Sequence, residues 1–364
     1  MKKNKILNII NYIIICIVLI LLIFLILKTN KLKHNIQLIS WEDLVDITPQ
    51  EKSFDLTLFQ EAISKNIEKQ KDSIIWIYEE KNIELFEESE EEQKTTIKTV
   101  KSLQWNGIII SKDWYIITNK HVVENKNSTY YAILEDKEYD LEKIRYDDEL
   151  DLAVVKISVK KETIPAKIIN IKNNIKIWDI VFALKKDPNT KETITKMWII
   201  NSKKQKFKTN NNNIYIWLIQ TSTSIEPWFS GWPLINLNWE VVGINTAIDN
   251  IEYWASYSLP LNQEFINQTI YSIKESWKII RPYIWINYKK HEDGILVESV
   301  EADSPAEIAW LEKWDIIFWI NNNAIEYQNF LYQLYTYKIN KNIILNIQKW
   351  DFKQDIQINL WINQ

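Results

Sequence analysis

Tryptophan stands at the points where this chain has to turn. Leu237-Asn238-Trp239-Glu240-Val241-Val242 sets Asn-Trp between two apolar runs, where Asn-Gly would give a two-residue hairpin turn with positive φ. Lys112-Asp113-Trp114-Tyr115 and Glu312-Lys313-Trp314-Asp315 repeat the pattern. A bulky side chain is disfavoured at positive φ, whereas glycine is not. Composition bears on the conflict. The 364 residues include only 4 Gly but 18 Trp, whereas an average chain of this length carries about 7% Gly, roughly 25. The two types together approach that ordinary glycine count. We read most of these tryptophans as positions that the source organism encodes as glycine, with UGA, a stop codon reassigned in some lineages, as the candidate codon. The alternative is a chain truly rich in tryptophan, and the codons at positions 228 and 232 separate the two.

The N-terminus reads as a membrane segment. Lys2, Lys3 and Lys5 precede an uncharged run from Ile6 to Leu27, long enough as a helix, about 33 Å, to cross a hydrocarbon core of roughly 30 Å. A cleavable signal peptide has a shorter apolar region and ends in small residues; this run ends in Leu-Ile-Leu-Lys. The sequence therefore predicts an uncleaved single-pass anchor over 1–35 and a polar stalk with some helix over 36–71. Lys28, Lys31 and Lys33 on the far side nearly balance the leading lysines, so charge leaves the orientation open. Cys16, the single cysteine, falls in the span, so the remainder must hold together without disulfides. A net charge of −4 with no basic patch on the soluble part disfavours a nucleic-acid binder.

Ser73 to Tyr78 reads as a first strand, and the Glu-rich run Glu79 to Glu92 as a solvated loop. From residue 103 the texture changes to short β-branched runs: Gly107–Ser111, Tyr115–Thr118, Tyr130–Leu134, Leu152–Lys156 and Ile180–Leu184. Runs of four to six residues at this spacing predict an all-β barrel or sandwich. A helical segment, Leu261 to Ser276, closes the region.

Candidate chemistry gathers in three places. Serine is a poor nucleophile unless a base takes its proton, and the base needs a third group to orient it. Of the three histidines, His34 abuts the anchor and His291 sits in a charged turn. Only His121 lies in the β region, in Thr118-Asn119-Lys120-His121-Val122-Val123. Asp151 opens the apolar run Asp151-Leu152-Ala153-Val154-Val155-Lys156; Asp147 and Asp148 compete with it, but their charged turn suits solvent better. Ser230 lies in Trp228-Phe229-Ser230-Gly231-Trp232-Pro233-Leu234-Ile235-Asn236, which becomes Gly-Phe-Ser-Gly-Gly-Pro when the tryptophans are read as glycine.

These three motifs, in the order His, Asp, Ser, resemble the HtrA/Deg family of trypsin-like serine proteases. Gln104-Trp105-Asn106-Gly107 is similar to the family's Gly-x-Gly before the first barrel strand, and Leu237 to Ala247 resembles its hairpin after the serine. The resemblance implies a chymotrypsin-like double β-barrel protease domain over 72–276, with His121 as general base, Asp151 as orienting carboxylate and Ser230 as nucleophile. It implies an oxyanion hole from the backbone N–H groups of Trp228 and Ser230, with Phe229 contributing, and Ser224 in the specificity pocket. A small neutral residue there favours small aliphatic side chains over basic ones. Real tryptophans at 228 and 232 would misshape this loop. Two departures are Phe229, where the family has a small polar residue, and Ser222, where it more often has Asp.

Residues 277–364 resemble a PDZ domain of the same family. Lys278 to Ile286 looks like its carboxylate-binding loop and following strand, and Asp303 to Ile317 its Ser-Pro-Ala…Gly-Leu…Gly-Asp-Ile-Ile stretch. Tyr283, Ile284, Trp285 and Ile286 are the expected contacts for a peptide C-terminus. The resemblance further implies a mainly β, extracytoplasmic endopeptidase acting on unfolded or misfolded proteins, a homotrimer, and no metal or organic cofactor. The alternative from another class is a membrane-tethered peptide-binding scaffold that no longer cuts.

Overall fold

The computed structural model describes residues 55–362, apart from 89–92, 135–136, 148, 171–174, 188–191, 209–213, 223–228, 247–255, 326 and 328–329. The expected anchor, Cys16 and the stalk up to residue 54 lie outside the described residues. Among the described residues, no helix is long and apolar enough to cross a membrane.

After helix α1 (Leu56–Gln70) the chain is mainly strand. Strands β1 (Ile74–Glu88), β2 (Gln93–Ile109) and β3 (Tyr115–Thr118) lead to a one-turn helix, α2 (Lys120–Val123). They are followed by β4 (Ser128–Leu134), β5 (Lys137–Asp140), β6 (Glu142–Tyr146) and β7 (Ala153–Lys156). These seven strands form one sheet in the order β5-β4-β1-β2-β3-β7-β6. The second group comprises β8 (Ile180–Lys186), β9 (Thr193–Lys208), β10 (Ile214–Thr221), β11 (Pro233–Asn236), β12 (Val241–Thr246) and β13 (Ser256–Pro260). It closes into a barrel in the order β10-β13-β12-β11-β8-β9.

The Glu-rich run differs from its expectation. It is not a loop up to Glu88: β1 continues through it, paired with β2 from Glu88↔Gln93 inward. In the backbone register of that hairpin Lys101 stands opposite Glu80 and Lys94 opposite Glu87. Lys101 sits 3.9 Å from Glu80 and 3.0 Å from Glu138. Glu79 is buried, and its Oε1 accepts from Ser128 Oγ at 2.6 Å and Asn125 Nδ2 at 3.1 Å.

Helix α3 (Gln263–Ser276) is capped at its start by Asn262, whose side chain accepts from the Phe265 N–H. It ends at Trp277, in the left-handed conformation (φ 59°, ψ 19°), with the Trp277 N–H donating to the Ile273 carbonyl. Glycine is the usual residue at this position of a helix end. Beyond it, β14 (Pro282–Tyr283), β15 (Ile286–His291), β16 (Gly294–Val300), helix α4 (Pro305–Ile308), β17 (Ile316–Ile320), β18 (Asn323–Ala324), helix α5 (Phe330–Leu334), β19 (Asn342–Lys349), β20 (Phe352–Asn359) and β21 (Trp361–Ile362) follow in turn. The main sheet here runs β15-β16-β17-β19-β20, with β18 paired to β17, and β14 pairs separately with β21.

The described apolar residues form three clusters. One cluster runs from Ile117 and Val154 through Phe182 and Ile244 to Phe265 of α3, and on to Ile317 and Leu345 of the last sheet. Phe265 stacks on Tyr332 at 5.4 Å, and Asn262 Nδ2 donates to the Tyr332 hydroxyl at 2.9 Å. Asp147 corrects an expectation at this junction. It is buried, not solvated, because Arg281 forms a salt bridge with it and donates from Nε to Oδ2 at 2.8 Å. The same Asp147 accepts the Glu149 and Leu150 N–H groups on Oδ1, which leaves few of its lone pairs unmet in a dry site.

Thirteen described non-glycine residues have positive φ, and eight of them are tryptophan: Trp114, Trp178, Trp239, Trp277, Trp285, Trp310, Trp314 and Trp350. Positions 114, 239 and 314 are those where the sequence alone predicts glycine. The turn at Trp239 is longer than expected, since β11 ends at Asn236 and β12 begins at Val241. Its N–H donates to the Asn236 carbonyl at 3.0 Å, and its φ is 62°.

Candidate active site

Each of the three candidate side chains is delivered by a different local device. β3 ends at Thr118, Asn119 turns the chain with φ −76° and ψ 149°, and α2 then presents His121. Asp151 sits in the tight connection between β6 and β7, where the Asp147 N–H donates to the Leu152 carbonyl at 2.9 Å. Ser230 lies in the turn before β11 and is fully buried.

The structure brings the three together. His121 Nδ1 lies 2.7 Å from Asp151 Oδ2, and His121 Nε2 lies 2.9 Å from Ser230 Oγ. With the Nδ1–H tautomer, the imidazole donates to the carboxylate and leaves Nε2 to accept the serine proton. Asp151 is fixed by further donors. The His121 backbone N–H gives to Oδ1 at 3.1 Å, while Thr246 Oγ1 gives to Oδ2 at 2.8 Å and Asn119 Nδ2 at 3.2 Å. A carboxylate with this many donors is held in one orientation. The His121 side chain is 34% exposed and forms the open edge of the group, against 12% for Asp151.

Gly231 shows why a residue without a side chain must follow Ser230. Its φ is +83°, and a Cβ there would lie 1.9 Å from the Asn106 carbonyl oxygen. Phe229 and Trp232 explain how this loop tolerates bulk. Both are buried in the core of the closed barrel, their rings stacked at 4.0 Å, with Trp198 at 5.8 Å from Phe229. Phe229 is thus accommodated in an apolar core with Trp198 and Trp232. Trp232 is not among the positive-φ residues, and the serine–histidine distance beside it is that of a hydrogen bond; the expectation of a misshapen loop rests also on Trp228, outside the described residues. The Trp232 Nε1–H is nevertheless buried with no hydrogen-bond partner among the described residues. Trp228 and Ser224, expected for the oxyanion hole and the specificity pocket, lie outside the described residues. Ser222 pairs with Ile199, donating its N–H to the carbonyl at 3.0 Å and accepting on Oγ at 3.2 Å.

The expected peptide-binding residues cluster at one edge of the last sheet. Tyr283 pairs with Trp361, Ile284 is buried, Trp285 takes φ 61°, and Ile286 opens β15. β15 is the terminal strand of its sheet, leaving one side open to strand addition. Burial, followed by the Glu301 and Glu149 carboxylates, raises the Tyr283 phenol above its usual pKa. Sequence reasoning assigned no role to Asn119, Thr246 or Arg281, although all three stand beside or within the motifs it quoted.

Residues 106–244 match the family described as "Trypsin-like peptidase domain". The architecture is that of a mainly β, chymotrypsin-like protease fold. Among curated proteins, the chain is 30% identical over 238 residues to a probable periplasmic serine endoprotease DegP-like of Hahella chejuensis, covering 60% of this chain and 48% of that one. It is 28% identical over 228 residues to the serine endoprotease DegS of Haemophilus influenzae, covering 60% and 64%. The chain thus spans about half to two thirds of the length of these relatives. Among solved structures, an HtrA-type protease AlgW with a decapeptide shares the fold at TM-score 0.57 and 21% identity, over 84% of this chain and 99% of that one. Residues 106–244 are thus a trypsin-like peptidase domain, and the chain is similar to serine endoproteases of the HtrA/Deg type.

Proposed function

We propose that this protein is a membrane-anchored serine endopeptidase that cleaves misfolded or exposed segments of extracytoplasmic proteins. The observation that carries the reading is the continuous line from Asp151 through His121 to Ser230, at 2.7 and 2.9 Å. Ser230 Oγ attacks the scissile carbonyl while His121 Nε2 takes its proton, and Asp151 stabilises the resulting imidazolium. His121 then protonates the leaving amine, and water, activated by the same imidazole, hydrolyses the acyl-enzyme. Backbone N–H groups of Trp228 and Ser230, with Phe229 contributing, receive the oxyanion. Ser224 lines the pocket for the residue before the cut bond and favours small aliphatic side chains.

Residues 72–276 form the protease domain in this reading, and 277–364 a PDZ domain that adds a ligand's C-terminal strand along β15, with Tyr283, Ile284, Trp285 and Ile286 around its carboxylate. The apolar run 6–27 supplies the anchor, residues 36–71 the stalk, and three copies assemble. Periplasmic relatives support an extracytoplasmic placement. Positive φ at eight tryptophans supports glycine as the residue natural to those positions.

Ser230→Ala tests the activity. Casein cleavage falls by about 10⁵- to 10⁶-fold, as when the nucleophile is lost from other triads. If the parent does not cleave casein at all, the chain is a peptide-binding scaffold; if the variant cleaves it at the parent rate, Ser230 is not the nucleophile.

A further inference from the structure

Asn119 occupies the N-cap position of α2, where an asparagine side chain ordinarily accepts a hydrogen bond from the first turn of its own helix. Here it makes no such bond. The His121 N–H is taken instead by Asp151 Oδ1 at 3.1 Å, so the carboxylate of the triad caps the helix that carries the histidine. The freed amide is fully buried and committed elsewhere. Its Nδ2 donates to the Asp151 carbonyl at 3.1 Å and to Asp151 Oδ2 at 3.2 Å. Its Oδ1 accepts from the Gly231 N–H at 2.6 Å, a hydrogen that also reaches the Asn245 carbonyl at 3.1 Å.

Those bonds join two separate sheets. Asp151 and His121 lie on connections between strands of the seven-stranded sheet, whereas Ser230 and Gly231 lead into the closed barrel through β11. Serine-to-histidine geometry therefore depends on the register between two bodies, and near-attack chemistry is sensitive to displacements of about 1 Å. Asparagine suits the position because it donates and accepts at once. Aspartate would accept only, placing two carboxylates against each other. Alanine would do neither.

We infer that Asn119 is a positioning residue, locking the Asp151 carboxylate to the backbone beyond Ser230 so that the imidazole and the nucleophile stay in line. This rests on the reading of Asp151, His121 and Ser230 as a working triad. Asn119 does not touch substrate, so its loss is expressed in turnover more than in binding.

Two variants and two readouts test it. Asn119→Ala lowers kcat on a peptide substrate by about 10- to 100-fold, the scale of a lost hydrogen bond to a charged group, with KM within about twofold. Asn119→Asp keeps the size and adds a charge beside Asp151, which favours imidazolium and raises the His121 pKa by about one unit. The His121 titration is followed by NMR on the folded protein, and the acid limb of kcat/KM moves up with it. A kcat for Asn119→Ala within twofold of the parent, or an unmoved His121 titration in Asn119→Asp, overturns the inference. If Asn119→Ala fails to fold, the aspartate variant decides. If the parent cleaves no peptide, the endopeptidase reading fails, and the NMR titration still judges Asn119.

Discussion

Asp151→Asn lowers kcat by about 10⁴-fold while the protein stays folded, on the scale seen when the equivalent carboxylate of another serine protease is changed to its amide. The reason lies in donor and acceptor roles. Asp151 Oδ2 receives His121 Nδ1, Thr246 Oγ1 and Asn119 Nδ2, and Oδ1 receives the His121 N–H. Asparagine of the same shape must turn its NH₂ toward one of these sets. If it faces His121 Nδ1, the imidazole shifts its proton to Nε2 and loses the lone pair that takes the serine hydrogen. Steady-state kinetics at neutral pH check this. Activity within tenfold of the parent would mean that Asp151 does not orient the base.

The second large effect is on stability, and its sign is unusual: removing three large side chains makes the protein more stable. Trp178, Trp310 and Trp350 have φ of 77°, 59° and 56° and are 77%, 75% and 84% exposed. A non-glycine residue held in this region costs about 1–3 kcal/mol. Glycine relieves that strain but gives the unfolded chain more freedom, which returns about 0.5–1 kcal/mol. With so little side-chain contact to lose, the net gain is about 1 kcal/mol per position, or about 3 kcal/mol for the triple variant. For a marginally stable protein, with about 5–15 kcal/mol in all, this is a large fraction. Guanidinium unfolding reads it as a higher midpoint at unchanged slope. An unchanged or lower midpoint would remove the backbone argument for glycine at these sites.

The tryptophan pattern also shows what the sequence could reveal and what it could not. A turn has a local signature, so Trp114, Trp239 and Trp314 could be recognised from their neighbours before any backbone angle was known. Trp232 could not be assigned in the same way. Its backbone is not left-handed, and its indole fills barrel core against Phe229, an environment set by strands distant in sequence. Short β-branched runs were legible because each is a local apolar stretch bounded by polar turns, and they overlap β2, β3, β4, β7 and β8. The hairpin of β1 and β2 was not, because the Glu run looks solvated until the backbone register that sets β2 against it is known. Asp147 was misplaced for the same reason, since its partner Arg281 lies 134 residues away. His121, Asp151 and Ser230 stood out through their flanking motifs. Asn119 stood in plain view beside His121, but only the meeting of two sheets gives its amide anything to bridge.

An activated serine is the centre of the account, and a fluorophosphonate reports on it directly because it reacts only with a hydroxyl whose proton has somewhere to go. Peptide mass mapping of the labelled protein should place the adduct on Ser230, with labelling abolished in His121→Ala. Adducts on other residues, or a Ser230 that labels equally well without His121, would contradict it.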